Sequence, residues 1–285
     1  MRNIKTNSRD LLAALNEEAH GVRWPLSWRL QERARRMFAK LKARDDYDWH
    51  SYSIGYRAQF NWTDRFYTLD LHDVDFELIS GRLYLLSDCK PLHPTHRCVW
   101  EAICNLPKIE SIAEIGTGAG YLLINLRLLL GNTVCLSGYD VSEEQLRFFQ
   151  ELWPHEATEV RTAILDLVGG SIPTQERPDV VFASTVLMHI QRPGAYRKAL
   201  RNFLFSGDQF AVLMDNWRSH NYFEDLEALT RTGSEFEGCG MYFYDSGANI
   251  AIVLSLRGAQ LSAPYERLAT AAVLTKYLDG PFRRA

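Results

Sequence analysis

The sequence has few cysteines, no excess of basic residues and no long apolar run. Its 285 residues include five cysteines, an odd number without a C-x-x-C pair or zinc-ligand spacing, so neither a disulfide framework nor a zinc site is expected. The formal net charge of −3 argues against a broad nucleic-acid-binding surface. No stretch approaches the ~20 apolar residues that a membrane-spanning helix needs, and no apolar secretory segment follows the N-terminus. We therefore expect a cytoplasmic protein without a membrane span.

A glycine-rich turn at residues 116–120 is the feature around which the rest of the chain is arranged. An apolar strand is predicted at 111–115 and an apolar helix at 119–130, with Gly116, Gly118 and Gly120 in the turn. Glycines let a ligand approach the backbone, and the free N–H groups of the helix start face that ligand. No Gly-Lys-Ser/Thr follows, which excludes a P-loop. A dinucleotide turn would place its third glycine one residue later, where Tyr121 stands.

Helices and strands alternate after the glycine turn. Further helices are predicted at 143–152, 193–205 and 220–231, with Ser142 and Ser219 as caps. Further strands are predicted at 133–139, at 159–165, within 178–190, and at 209–214, 240–244 and 250–256. The last two strands flank residues 245–249 as an antiparallel hairpin. The pattern predicts an α/β fold with a seven-stranded sheet.

Asp140 ends the second predicted strand, 20 residues after Gly120. A nucleoside bound at the glycine turn would present its ribose hydroxyls there, and an ionised carboxylate can accept hydrogen bonds from both. Dinucleotide-binding folds also have an acid at this point. Asp140 therefore favours a nucleoside ligand without choosing between cofactors.

The pattern Glu-x-Gly-x-Gly-x-Gly, formed by Glu114 and the three glycines, resembles motif I of the class I S-adenosylmethionine-dependent methyltransferases. The resemblance covers about residues 94–257, and the closing hairpin is typical of that fold rather than of the symmetric dinucleotide fold. It implies a Rossmann-like class I methyltransferase sheet with an antiparallel last hairpin, S-adenosylmethionine as cofactor and S-adenosylhomocysteine as product. The cofactor-binding residues that it implies are Glu114, Gly116, Thr117, Gly118, Gly120, Asp140, Val141, Asp166, Leu167 and Thr185.

Two details of the resemblance concern the later strands. In the family, an aspartate at the position of Asp166 lies against the adenine amino group, and the next apolar residue, here Leu167, lies beside the ring. The fourth strand of the family often begins with Phe-Asp, and here Pro178 replaces the phenylalanine.

Methyl transfer to a hydroxyl needs a base close to the acceptor. His189, in the loop after the fourth strand, is the candidate base because imidazole titrates near neutrality. Asp215, at the end of the fifth strand, is a candidate to orient it or to act alone. Asp215-Asn216 also resembles the metal-binding pair of catechol-type O-methyltransferases, but Ser184 and Thr185 stand where those enzymes need another carboxylate. No metal ion is therefore expected.

The chain is predicted to have three parts: an N-terminal helical and aromatic extension (1–90), the methyltransferase domain (91–257) and a C-terminal helical tail (258–285). The extension contains a helix with a basic face at 29–44, an aromatic segment at 47–70 and a hairpin at 76–86. The aromatic segment is either a core or a platform over the active site. An apolar stripe at 264–279 predicts a packed helix in the tail.

His93, His96 and Arg97 cluster at the start of a helix that begins near Pro94. They either contact the substrate or cap and pack this helix, and both interpretations stay open. A zinc site is not expected, since no third ligand is nearby.

The predicted reaction is O-methylation of a hydroxyl on a small molecule, a sugar or a glycan. N-methylation of RNA or protein is an alternative that would use the basic helix face. A non-catalytic scaffold subunit that binds S-adenosylmethionine is another. Residues 184–187 do not match the Asn/Asp-Pro-Pro-aromatic motif of RNA adenine methyltransferases. Nucleic acid is therefore not the favoured partner, and the sequence makes no prediction about oligomeric state.

Overall fold

The structure, a computed structural model, describes residue 71, residues 75–86 and residues 93–276. The predicted basic helix at 29–44 and the aromatic segment at 47–70 lie outside these residues. None of the helices within the described ranges is long and apolar enough to cross a bilayer.

The first element is the predicted hairpin, formed by β1 (Phe76–Ile79) and β2 (Arg82–Leu85). Ser80 and Gly81 between the strands both have positive φ angles, 50° and 74°. This is the turn geometry whose twist matches a tight antiparallel pair. Leu83 is buried in the core, and the side-chain amide of Asn105 donates a hydrogen bond to the Gly81 carbonyl. The prediction of a hairpin at 76–86 is confirmed.

Within the described residues, eight strands form the main sheet, in the order β10-β8-β9-β7-β6-β3-β4-β5. The parallel strands are β3 (Ser111–Ile115), β4 (Cys135–Asp140), β5 (Val160–Ile164), β6 (Val180–Ser184) and β7 (Phe210–Met214). Antiparallel pairs add β9 (Ile250–Ser255), β8 (Gly240–Asp245) and β10 (Glu266–Arg267). Without the two-residue β10, this is the predicted seven-stranded sheet with an antiparallel closing hairpin.

Helices cover both faces of the sheet. The helices are α1 (Pro94–Cys104), α2 (Tyr121–Leu130), α3 (Glu143–Leu152), α4 (Pro193–Phe205), α5 (Tyr222–Thr230) and α6 (Ala272–Thr275). Strand side chains alternate between two hydrophobic layers: Ile112 and Phe182 pack with α1, α2 and α3, whereas Ala113 and Ala183 pack with α4 and α5. Burial on both faces explains why the central strands β6, β7 and β9 are almost entirely apolar.

The strand order creates a switch point between β3 and β6. From β3 the chain winds outward to β4 and β5, then returns to β6 on the other side of β3. Ligands of open α/β sheets bind at the carboxyl ends of the strands where the winding direction reverses. The glycine turn follows β3, and Thr185 follows β6, so both lie at this point.

The prediction of a continuous helix at 264–279 is wrong over its described residues. Glu266–Arg267 instead pairs with β8, and only Ala272–Thr275 is helical. The Leu268 amide donates to the Met241 carbonyl, and the Tyr265 hydroxyl donates to the Ala102 carbonyl. These tertiary hydrogen bonds hold the segment against the sheet edge, which outweighs its helical apolar spacing.

Of the two helix caps predicted from the sequence, the structure confirms one. Ser142 caps α3 as predicted, because its hydroxyl accepts a hydrogen bond from the Gln145 amide. Ser219 does not cap α5: the helix begins at Tyr222 with Asn221 as its cap residue, and the Ser219 hydroxyl donates to the Asn216 carbonyl. The loop after β7 is therefore longer than predicted.

Candidate functional site

The three glycines of the turn have different reasons to lack a side chain. Gly116, Gly118 and Gly120 all have positive φ angles, of 73°, 50° and 80°. A Cβ on Gly120 would lie 1.8 Å from the Phe149 ring, and one on Gly116 would lie 2.3 Å from the Val186 side chain. A Cβ on Gly118 would meet nothing within 4 Å. Packing therefore requires two of the glycines, and the third faces space that a ligand can enter.

Asp140 holds the glycine turn in place. Its Oδ2 accepts a 2.9 Å hydrogen bond from the Gly118 amide, and its Oδ1 accepts one of 2.9 Å from the Ser142 amide. Burial raises the pKa of this carboxyl, and the amide donors Ser142, Gly118 and Val141 counteract that rise. Each carboxylate oxygen has a second lone pair. Because these amides do not occupy all four lone-pair sites of the carboxylate, Asp140 can still accept a hydrogen bond from a ribose hydroxyl.

Glu114 and Thr117 lie inside the turn rather than on its surface. Glu114 is buried, and its Oε2 accepts a 3.1 Å hydrogen bond from the Thr117 hydroxyl. Burial, with a further contribution from the charge of Asp140, holds the pKa of Glu114 well above its usual range. The arrangement supports the turn and keeps a second negative charge away from Asp140.

Val141, Asp166 and Leu167 extend the site along β4 and β5. Asp140 pairs with Ile164 at the strand ends, so the residues that follow them are neighbours. Asp166 is exposed, and its Oδ1 accepts a hydrogen bond from the Val168 amide, whereas Leu167 is buried. Val141 is 37% exposed. An exposed acid and an exposed apolar side chain beside Asp140 suit the polar edge and the face of a heteroaromatic ring.

Thr185 is in a strained conformation immediately after β6. Its φ angle is 57°, a region that β-branched residues rarely occupy. The Thr185 amide donates to the Met214 carbonyl at 2.8 Å, and its hydroxyl donates to the Ser184 carbonyl at 2.7 Å. The next residue, Val186, is the one whose side chain contacts Gly116. The strained residue therefore connects the end of β6 to the glycine turn.

Asp215 is buried at the end of β7 and binds the turn that carries His189. Its carboxylate accepts hydrogen bonds from the amides of Asn216 (2.8 Å) and Met188 (3.2 Å) and from the Tyr222 hydroxyl. Burial raises the pKa of Asp215 from 3.8 to about 7. His189 closes a short 3₁₀ turn (Leu187–His189) and is half-buried. The structure thus links the two predicted catalytic residues through the Met188 backbone.

Sequence analysis missed a group of aromatic side chains next to Asp215. The group, called the aromatic cluster below, consists of Tyr196 of α4 together with Trp217, His220 and Tyr222. His220 stacks on Tyr196 with ring centroids 3.7 Å apart, and Tyr222 meets both Tyr196 and Trp217 edge-on. The His220 Nε2 lies 3.0 Å from the Leu187 carbonyl. Tyr196, His220 and Tyr222 fall in predicted helices, so their spacing indicated only core packing.

Arg97, one of the three predicted substrate residues, lies in a buried network around Glu101. Arg97 Nε donates to the Glu101 carboxylate at 2.9 Å, and this side chain also accepts from the Leu83 amide and the Tyr244 hydroxyl. Arg82 forms a second ion pair with it. The substrate role of Arg97 stays a prediction, and the structure gives this side chain a defined partner within the protein.

The two histidines beside Arg97 pack at the start of α1. The His93 ring accepts a 3.3 Å hydrogen bond from the Thr95 amide and so caps the helix. Burial lowers the pKa of His93 to about 4 and holds that of His96 well below its usual range. Both rings are therefore neutral at physiological pH. Across residues 71, 75–86 and 93–276, no group of three or more His, Cys, Asp or Glu side chains is arranged to hold a metal ion.

No protein-family model and no curated protein matches this chain. Among solved structures, a SAM-dependent methyltransferase from Aquifex aeolicus is 18% identical with a TM-score of 0.39, and the match covers 57% of this chain and 92% of that one. PigF with SAH is 10% identical with a TM-score of 0.40, covering 52% and 50%. The glycopeptide N-methyltransferase MtfA complexed with S-adenosylmethionine is 12% identical with a TM-score of 0.35, covering 40% and 47%.

The strand order of the chain itself decides the fold. Five parallel strands reverse direction between β3 and β6, and an antiparallel hairpin closes the sheet beside β7. This chain has the Rossmann-like class I methyltransferase fold. The chain spans about half the length of two of these structures. The reaction and the acceptor are therefore matters for the proposal below.

Proposed function

We propose that the protein is an S-adenosylmethionine-dependent methyltransferase that methylates a hydroxyl group of a small-molecule, sugar or glycan acceptor. The observation that carries the proposal is the arrangement of Gly118 and Asp140 at the switch point of the sheet. The Gly118 amide binds the Asp140 carboxylate and the Cβ position of Gly118 is open, so we place one ligand site beside these two residues. A nucleoside with an attached amino-acid chain fits such a site. Its ribose needs a hydrogen-bond acceptor, and its amino-acid chain needs open backbone a few ångströms away.

The residues of the chain would divide the binding of the cofactor between them. Asp140 would accept the ribose hydroxyls, and Asp166 with Leu167 and Val141 would hold the adenine. The glycine turn, supported by Glu114 and Thr117, would lie along the methionine part, and Thr185 would border the methyl group. S-adenosylmethionine, when bound, supplies an electrophilic methyl group.

The remaining task of the protein is to orient the acceptor and remove its proton. His189 is the proposed base, because an imidazole is half protonated near neutral pH. Asp215 acts as a positioning residue: its hydrogen bond to the Met188 amide fixes the 3₁₀ turn on which His189 lies. A proton that leaves the acceptor hydroxyl would move to a His189 nitrogen and from there to solvent, since His189 is half-buried and not enclosed.

Calorimetric titration tests the cofactor. S-adenosylmethionine and S-adenosylhomocysteine should bind the wild-type protein, with NAD as the negative ligand. Asp140→Ala should abolish binding, because it removes both ribose acceptors and the Gly118 hydrogen bond. Glu159→Ala is the matched control: it removes an exposed carboxylate at the start of β5, the opposite end of the strand pair. Binding of NAD alone, or of none of the three, would refute the proposal.

Thermal unfolding of the same variants separates binding from folding. Asp140 supports the glycine turn, so Asp140→Ala lowers stability as well as affinity. Asp140→Asn keeps one acceptor oxygen and donates where an acceptor is needed. We expect it to fold and still to lose most of the cofactor affinity, which a purely structural role of Asp140 does not predict.

A further inference from the structure

Two hydrogen-bond donors of the aromatic cluster are buried without a partner. The Tyr196 hydroxyl and the Trp217 indole N–H are both inaccessible, and within the described part of the chain neither has a hydrogen-bond acceptor. Buried donors in folded proteins nearly always have a partner. Two unpartnered donors in one cluster of four rings therefore indicate an acceptor oxygen from outside the described residues.

The neighbouring carboxylates do not supply this oxygen. Asp215 accepts from the amides of Met188 and Asn216 and from the Tyr222 hydroxyl. Asp225 forms an ion pair with Arg197. The acids beside the cluster are thus engaged by other donors.

The charge around the cluster selects the kind of ligand. The charges of Asp225, Asp215 and Glu224 act on the Tyr196 hydroxyl, and the charge of Arg197 opposes them, so its surroundings carry an excess of acidic groups. An anionic ligand is repelled by these acids, and a cationic one has no acceptor to offer the two donors. A neutral carbonyl or amide oxygen satisfies both donors and carries no charge. The faces of the four rings suit a flat, apolar body attached to that oxygen.

The position of the cluster points to the methyl acceptor. His220 contacts the Leu187 carbonyl, and Asp215 contacts the Met188 amide, so the cluster packs directly against the turn that ends at His189. Trp217 and His220 are only half-buried and belong to the loop between β7 and α5. Displacement of His220, which stacks on Tyr196, opens the cluster to a ligand without disturbing the sheet.

We propose that the aromatic cluster binds the methyl acceptor, and that the acceptor is a flat molecule with a neutral carbonyl or amide oxygen that receives hydrogen bonds from Tyr196 and Trp217. The assignment of the ligand as a methyl acceptor rests on the proposed function. The binding of a neutral carbonyl compound does not, and it is measured separately.

The test uses three probes that share one ring and differ in charge: benzamide, benzoate and benzylammonium. Their affinities are measured by ligand-observed NMR on the full chain, alone and with S-adenosylhomocysteine, for wild type, Tyr196→Phe and Trp217→Phe. Benzamide should bind most tightly to the wild type. Each variant should weaken it by about two- to tenfold, the effect of one neutral hydrogen bond. Absent benzamide binding, an unchanged affinity in both variants, or a preference for benzylammonium overturns the proposal.

Thermal unfolding supplies the second readout. The Tyr196 hydroxyl has no partner in the protein, so Tyr196→Phe should leave the melting temperature unchanged or raise it. Tyr265→Phe is the matched control, because it removes an equally buried hydroxyl that donates to the Ala102 carbonyl, and it should lower the melting temperature. An equal decrease in both variants means that Tyr196 has an internal partner such as a trapped water, and this overturns the proposal. Benzamide binding without S-adenosylmethionine binding would refute the proposed function alone.

Discussion

The Gly118 amide donates a 2.9 Å hydrogen bond to the Asp140 carboxylate, and this bond joins the glycine turn to the end of the next strand. The residue assigned to the ribose therefore also holds the turn that would contact the rest of the cofactor. Because both parts depend on one carboxylate, their relative position is set before a ligand arrives. Such preorganisation reduces the ordering cost of binding.

Alanine substitutions should separate the glycines of the turn by function. Gly118→Ala adds a methyl group to open space, so its stability cost is the left-handed strain of about 1–2 kcal/mol, and cofactor affinity is lost. Gly120→Ala adds the same strain and forces the fully buried Phe149 ring to move, which costs a further ~1–3 kcal/mol. Urea unfolding and calorimetry measure both quantities. A Gly118→Ala protein with wild-type affinity contradicts the placement of the ligand at this glycine.

The sheet could be predicted because its central strands are apolar on both faces. All five residues of β6 are buried. A short apolar run of this kind between two turn signals is typical of a strand that is covered on both faces of a sheet. The tail could not be predicted in this way. The buried position of Leu268 fits a helical stripe and an extended segment equally well, and the choice depends on a backbone hydrogen bond to Met241, which is remote in sequence.

The candidate site was predictable where it depends on one segment of chain and not where it depends on several. The glycine pattern and the acid after the second strand are local, and the structure brings Gly118 and Asp140 into contact. The aromatic cluster joins Tyr196 to residues of a later loop and helix, and no spacing in the sequence relates them. The strain at Thr185 is likewise invisible without coordinates, since threonine in a loop is ordinary.

Thr185→Gly should stabilise the protein and weaken its function. Glycine adopts the observed φ angle of 57° without steric cost, so the substitution removes strain of about 1–3 kcal/mol, offset in part by the greater freedom of glycine in the unfolded chain. We expect a net gain of about 0.5–1 kcal/mol in the free energy of unfolding. Thr185→Ala keeps the strain and is the control. If both variants have the same stability, the positive φ angle carries no strain.

Asp215 should make stability decrease as pH rises through the acid range. Its pKa is about 7 in the folded protein and near 3.8 when unfolded, so between these values the folded state retains a proton that the unfolded state has lost. The contribution of Asp215 to the free energy of unfolding is therefore near zero below pH 3.8, becomes increasingly unfavourable up to pH 7 and is constant above. Over this pH range the free energy of unfolding falls by at most roughly 4 kcal/mol.

Asp215→Asn removes this titration and tests it. The stability of the variant relative to wild type should rise between pH 4 and pH 7, as measured by urea unfolding at several pH values. Asp179→Asn is the control, because hydrogen bonds from the amides of Glu110 and Ser111 and from the Gln209 and Ser111 side chains outweigh burial and lower the pKa of that partly exposed carboxyl. Its effect should have the opposite sign and lie below about pH 3.8, and the stability of this variant relative to wild type should be constant between pH 4 and pH 7. A difference between Asp215→Asn and wild type that is independent of pH would falsify the prediction.

Substitutions at Glu101 should show what Arg97 does in this protein. Glu101 is fully buried and receives hydrogen bonds from Arg97, Arg82, the Leu83 amide and Tyr244. Glu101→Ala leaves these donors without an acceptor, and removal of one partner of a buried ion pair costs about 3–5 kcal/mol. Glu101→Gln keeps one acceptor oxygen and should cost less. Arg97→Ala should also lower stability while the affinity for S-adenosylmethionine stays unchanged, as calorimetry will show. Unchanged stability in Arg97→Ala, together with lost acceptor turnover, would instead support the predicted substrate contact.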